Sequence, residues 1–217
     1  MNTWAVVVGV GESVWSSAAH RIAARITRLN PEVQARAITT RDELPNVQFR
    51  HISWSRLWIW DMVPRNCERV IWIDADCVPL RAFPMIPVAP FAAVTQDARG
   101  HANIFDFPIL AVWKKRFNAG VFVATRASMP AFELAQQMMR YVRTVSCWEQ
   151  YWLNLAVWST LPDKSFEELP STWNWKPRDG SIPADVLIVH AAGGAALEKE
   201  RHLEQFWNLA ETLDAGH

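Results

Sequence analysis

The chain has 217 residues, half of them apolar and a fifth charged, enough for one sizeable hydrophobic core and an ordinary globular composition. Its 22 basic and 22 acidic residues cancel to a formal charge of zero, which excludes a global field drawing the chain to nucleic acid or an anionic membrane. Cys67, Cys77 and Cys147 are odd in number, widely spaced and free of any CxxC pattern, so they read as reduced thiols and not as a disulfide framework or a zinc site.

The opening residues lack a basic leader, so no signal peptide is expected. No stretch approaches the roughly 18 apolar residues of a membrane span. The expectation is a soluble, cytoplasmic protein. Thr3 to Val10 is a β-branched apolar run followed by Gly9, Gly11 and Ser13, which predicts a first strand and a turn. Ser16 or Ser17 is placed to cap a helix burying Ala19, Ile22, Ala23, Ile26 and Leu29, with Arg21, Arg25 and Arg28 facing outward. Val33 to Thr39 predicts a second strand. Residues 55 to 63 predict a short helix stopped by Pro64. Val70 to Ile73 is apolar without alternation, as a parallel strand covered on both faces should be.

Phe91 to Val94 and Gly120 to Thr125 predict two more strands around an irregular stretch, residues 98 to 116. Residues 129 to 145 and 147 to 161 predict helices, Pro162 to Gly180 a loop, Val186 to Val189 a late strand, and residues 195 to 213 a charged amphipathic helix. No internal repeat interrupts this alternation, so the fold class is α/β with a mostly parallel sheet. The 13 tryptophans belong mostly to the core, with a few left over as stacking platforms for a sugar or a base.

The chemistry concentrates in "VIWIDADCVPL", residues 70 to 80, where an apolar strand stops at Asp74 and Asp76. Carboxylates are costly to bury unless paired or bound to a cation. Residues i and i+2 of a strand project to one side, with Cα atoms about 6–7 Å apart, so these two can converge on a hard divalent cation. Ligands of α/β sheets sit just beyond the carboxyl ends of the strands. A lone DxD also arises by chance, so the motif alone leaves a simple exposed strand end open.

Five blocks extend the motif: "SRLWIWDMVPRNCERVIWIDADCVPLRAF" from Ser55, "FNAGVFVATRAS" from Phe117, "EQYWLNLAVW" from Glu149, "LPSTWNW" from Leu169 and "VLIVHAAGG" from Val186. In this order they resemble the glycogenin-like and galactosyltransferase members of glycosyltransferase family 8. The resemblance implies a single GT-A domain over residues 1–217, with a nucleotide-sugar half (1–97) and an acceptor half (98–217). It further implies a UDP-sugar donor, Mn²⁺ (or Mg²⁺), and transfer with retention to an unknown saccharide or protein acceptor. By position it makes Asp74, Asp76 and His190 metal ligands. Arg56 would offset donor phosphate or position the sugar, Asp97 would lie near the sugar, and Asn118 would bond donor sugar or acceptor. Gln150 would stand by the anomeric carbon, and Glu149 would pair with it and serve any covalent route. Gly193 would let backbone approach a pyrophosphate, and Trp15 would stack on uracil unless it packs into the core.

Two positions depart from the family pattern. Glu149 stands where the family has Asp, and Ala196 where it has a basic residue, leaving Lys199, nine positions after His190, as the nearest substitute. A nucleotide-sugar-binding module without transfer is the alternative reading. A haloacid-dehalogenase-type phosphatase, suggested by "DADCV", is another, but the later acidic pair Glu167–Glu168 follows no apolar strand.

Overall fold

The computed structural model describes residues 1–11, 14–45, 51–97, 115–141, 149–177, 181–192 and 196–215. Strand β1 (Thr3–Val8) leads through helix α1 (Val14–Leu29) into β2 (Val33–Ile38). A 3-10 helix over Ile52–Asp61, broken at Trp58, precedes β3 (Arg69–Asp74), β4 (Cys77–Pro79) and β5 (Phe91–Asp97). Then come β6 (Lys115–Thr125), α2 (Met129–Tyr141), α3 (Glu149–Thr160), β7 (Phe166–Glu168), β8 (Ile188–His190) and α4 (Ala196–Ala215). The larger sheet has the order β2-β1-β3-β6-β5-β7, and β4 with β8 forms a separate two-stranded ribbon. β6 runs antiparallel to both its neighbours, while the other pairings of the larger sheet are parallel.

The missing alternation in β1 and β3 follows from burial on both faces. Ala5, Val7, Ile71 and Ile73 pack into one core cluster with α1 and α4, and Val6, Val8, Val70 and Trp72 into another with α2 and α3. Trp54, Trp58, Trp60, Trp72 and Trp152 fill that second cluster, where stacked Phe91 and Phe122 also sit. No helix among the described residues is long and apolar enough to cross a membrane.

Three expectations are corrected. Arg25 does not face outward: it is 4% exposed, donating to the carbonyls of Pro79, Leu80 and Ala210 and to Asp214. The span Pro162 to Gly180 is not only loop, because Phe166–Glu168 pairs in parallel with β5 and puts Glu167 and Glu168 on an edge strand. Ser16 and Ser17 lie inside α1, which begins at Val14, instead of capping it.

Candidate active site

β1, β2 and β3 end level, Val8 lying beside both Ile38 and Asp74. After Asp74 the chain does not continue as a strand; it turns through Ala75 and Asp76 into β4. The two carboxylates therefore take different partners, unlike the same-side projection expected of one extended strand.

Asp74 faces Arg56. One Arg56 Nη donates to the Asp74 oxygens at 2.8 and 3.1 Å, the other to the Ala119 carbonyl at 2.7 Å, and Nε to the Ser53 carbonyl at 3.0 Å. Glu149 lies 3.3 Å from the same guanidinium and accepts from Ser53 Oγ at 2.8 Å. The Trp72 indole donates to Asp74 at 2.7 Å. Burial opposes charge on Arg56, but Asp74, Glu149 and Asp76 outweigh it and hold the guanidinium charged. Burial raises the carboxyl of Asp74 despite Arg56. Both Arg56 and Glu149 are about nine-tenths or more buried, so they brace Asp74 from behind. Removing one partner of such a set would strand a buried charge, at about 3–5 kcal/mol.

Asp76 faces the other way. His190 Nε2 stands 3.1 Å from Asp76 Oδ1, and Lys199 Nζ donates to Oδ2 at 2.8 Å. Burial acts to raise the Asp76 carboxyl, but His190 and Lys199 win and hold it well below the usual carboxylate range. β4 and β8 set this geometry, since Cys77 pairs directly with His190 and Ala191 N–H donates to the Asp76 carbonyl. Ligand atoms of Asp76, Cys77 and His190 lie within 4.8 Å of one another. Asp74 is not of that group. Burial and the charges of Asp76 and Asp74 push the Cys77 thiol well up, so it is a neutral neighbour of the pair.

A rail of amides fixes the imidazole. Ala119 N–H and Asn118 Nδ2 both donate to Gln150 Oε1, at 2.9 and 3.0 Å. Asn118 Oδ1 accepts from Gly120 N–H at 3.0 Å and from Asn174 Nδ2 at 2.8 Å. Asn174 Oδ1 is then left to accept, and His190 Nδ1 sits 2.8 Å from it. Because backbone donors at Ala119 and Gly120 anchor the amides, their orientation is set, and His190 Nδ1 must carry the hydrogen. Nε2 then faces the Asp76 carboxylate at 3.1 Å, where a ring proton or a bound metal cation would satisfy the carboxylate. An oxygen and an imidazole nitrogen, with the other ring nitrogen held by a second partner, fit a Mn²⁺, Mg²⁺ or Zn²⁺ site.

The rail rests on an irregularity in β6. Opposite β5 the register jumps, Ala93 pairing with Phe122 and Thr95 with Phe117. Asn118 to Val121 stand opposite Val94 alone, a shift of three residues that makes a bulge beside the site. Gly120 is required there, because a Cβ would come within 2.5 Å of His190 Cε1. Asn154 pins the strand from behind, exchanging hydrogen bonds with Phe117 N–H and carbonyl at 2.9 and 3.0 Å.

At the same sheet edge, past β1 and β2, an open cavity of ≈ 640 Å³ is lined by Gly11, Ser16, His20, Thr39 and Arg41 among others. Neither Asp76 nor His190 lines it. Trp15, half-buried, packs against the first core cluster. Of the remaining expected residues, the Asp97 side chain and Gly193 lie outside the described residues. Sequence reasoning missed Asn174, although it stood inside a quoted block, and also Ser53, Asn154 and Lys176. The half-buried Lys176 follows the Trp175–Val189 bridge, and burial lowers it to about 8.

No family model matches the sequence, and no curated protein does. Solved structures do. A glycosyltransferase involved in glycosylation of the major capsid of PBCV-1 is similar over 94% of this chain and 100% of its own, at 12% identity and a TM-score of 0.69. The galactosyltransferase LgtC, in complex with donor and acceptor sugar analogs, is similar over 96% and 95%, at 13% identity and a TM-score of 0.59. The bifunctional glycosyltransferase WbbM is similar over 89% of this chain and 46% of its own, at 16% identity and a TM-score of 0.56. At such identities the likeness shows the fold, which is that of the GT-A glycosyltransferases, as the sequence blocks implied.

Proposed function

We propose that the chain is a retaining hexosyltransferase that moves a sugar from a UDP-sugar to a saccharide or protein acceptor with a divalent cation, Mn²⁺ or Mg²⁺. The carrying observation is the cluster of Asp76, Cys77 and His190, whose ligand atoms lie within 4.8 Å of one another, with His190 Nε2 at 3.1 Å from Asp76 and its Nδ1 held by Asn174. Asp76 and His190 would hold the metal directly, with Asp74 beside them. Bound there, the cation would neutralise the charge gathering on the departing diphosphate.

The chain's own residues supply the rest. Arg56 and Trp72 hold Asp74 in place, and Glu149, with its oxygens taken by Arg56 and Ser53, positions the guanidinium. That occupancy favours front-face substitution over a covalent route through Glu149. The acceptor hydroxyl attacks on the face the diphosphate leaves, and its proton passes to the leaving phosphate oxygen, so no separate base is needed. Gln150 holds Asn118 and Ala119 at the bulge through Oε1, which takes both donors, so its part is to position Asn118 and not to present its carbonyl to the sugar. Lys199, already on Asp76, stands in for the base missing at Ala196. The cavity past β1 and β2 is of a size for a nucleoside, and Gly193 would lie near the pyrophosphate and Asp97 near the sugar, while Trp15, packed against the core, is left out of uracil stacking. The whole chain would act as one transferase domain in the cytoplasm.

The test is UDP release from UDP-glucose, UDP-galactose and UDP-N-acetylglucosamine in Mn²⁺, with and without added sugar acceptors. His190→Ala and Asp76→Asn should each lower release by about 10²-fold or more. Binding of donor without release, or equal release by wild type and both variants, would remove transfer from this site.

A further inference from the structure

Two cations beside the Asp76–His190 pair have no role in the scheme above. Arg116, the second residue of β6, lies on the side opposite Phe117 and Ala119, which pack into the second core cluster, so it shares a side with Asn118. Asn118 reaches across to Asn174 at 2.8 Å. Lys176 lies two residues beyond Asn174, past Trp175, which is bridged to Val189. The amide rail and the two cations thus run along facing segments, and Arg116 is near enough to Lys176 to disfavour its charge.

Among the described residues neither cation is satisfied. Arg116 Nε is buried without a hydrogen-bond partner, and among the described residues neither Arg116 nor the Lys176 ammonium has a hydrogen bond or an ion pair to a carboxylate. Burial lowers both, Lys176 to about 8. Buried donors left unmade are expensive, and two like charges held together are more so. Arg56 and Arg25, by contrast, find carbonyls and carboxylates for their donors. An unpaired, half-buried pair next to a reaction centre is the form an anion subsite takes before its ligand arrives.

We propose that Arg116 and Lys176 form an anion-binding subsite on the sugar side of the centre, selecting a substrate sugar that carries a carboxylate or a phosphate. The inference rests on the UDP-sugar reading and adds the substrate class to it. Arg116 supplies forked donors to two oxygens of the anion, and Lys176 supplies a point charge. The anion could belong to the donor sugar or to the acceptor sugar, and the chemistry recognised is the same.

Calorimetric titration of the full chain in Mn²⁺ separates these cases. One arm compares UDP-glucuronate with UDP-glucose. The other compares glucuronate and glucose 6-phosphate with glucose, each with UDP present. In one arm the anionic sugar should bind about tenfold or more tightly than the neutral one, and Arg116→Gln and Lys176→Gln should each abolish that preference while leaving UDP affinity within about threefold. No preference in either arm, with UDP bound normally, would overturn the subsite alone. Equal loss of plain UDP binding in both variants would assign the cations to the diphosphate and overturn it too. Failure of wild-type UDP binding would instead defeat the donor reading on which the subsite stands. Thermal unfolding of each variant guards against a lost fold, and the conservative Arg116→Lys, which keeps the charge without the fork, should retain part of the preference.

Discussion

At the scale of single residues, the site depends on a glycine that touches no substrate. A Cβ on Gly120 would meet His190 Cε1 at 2.5 Å, His190 Nδ1 at 3.0 Å and Asn118 Oδ1 at 2.9 Å. His190 cannot yield toward Asn174 without breaking its bond to Asn174 Oδ1, so it must yield at Nε2, the side facing Asp76. Gly120→Ala should therefore weaken Mn²⁺-dependent UDP binding by about tenfold or more while the chain still folds, judged by circular dichroism. An unchanged affinity would mean that His190 does not stand where the bulge puts it. The role of Asn118 was legible in the FNAG block only as a contact to sugar. Its second function, passing orientation from two backbone N–H groups to an imidazole, depends on a register jump no local pattern announces.

At the scale of elements, Arg25 shows how periodicity misleads. It sits one step from Ile26 and three from Ile22, at the edge of the apolar stripe of α1, and a charge at such a margin is ordinarily solvated. Here α4 closes over that margin, and the guanidinium ties Pro79, Leu80 and Ala210 carbonyls to Asp214. A contact made 189 residues away in sequence is invisible to a local window. The hydrogen bonds from Arg25 and Arg28 hold the Asp214 carboxyl below its ordinary value. A carboxyl depressed on folding stabilises above its unfolded pKa of ~3.9, and the contribution is lost as pH falls through the lower folded value. Asp214→Asn should thus cost about 1–2 kcal/mol near neutrality in urea unfolding, and the gap to wild type should close in acid. A gap that stayed constant into acid would locate the effect in packing and not in the charge. β7 was missed for a related reason: Phe166–Glu168 is too short to show a period, and only the unpaired edge of β5 makes it a strand.

Across the whole molecule, what the sequence displayed was the skeleton of the site. Double-faced strands such as β3 announce themselves as unbroken apolar runs, and a run that ends in Asp74 and Asp76 marks a ligand edge. His190 is picked out by the resemblance of its block, VLIVHAAGG; the apolar run of β8 up to its last residue agrees with that place but by itself suits a structural histidine as well. What stayed hidden was the division of labour. Asp74 is claimed by Arg56 and Trp72, Asp76 by His190 and Lys199, and that split follows from the turn at Ala75 and the separate β4–β8 ribbon. The ends of β2, β1 and β3, the ribbon and the β6 bulge thereby bring an open cavity and the Asp76–His190 pair to one end of the sheet. The most direct test of that convergence is calorimetric titration of UDP into the wild-type chain, first in Mn²⁺ and then in EDTA. Binding present with Mn²⁺ and lost in EDTA is the result the account predicts. Equal binding in both buffers, or none in either, would contradict a metal-held diphosphate at Asp76 and His190.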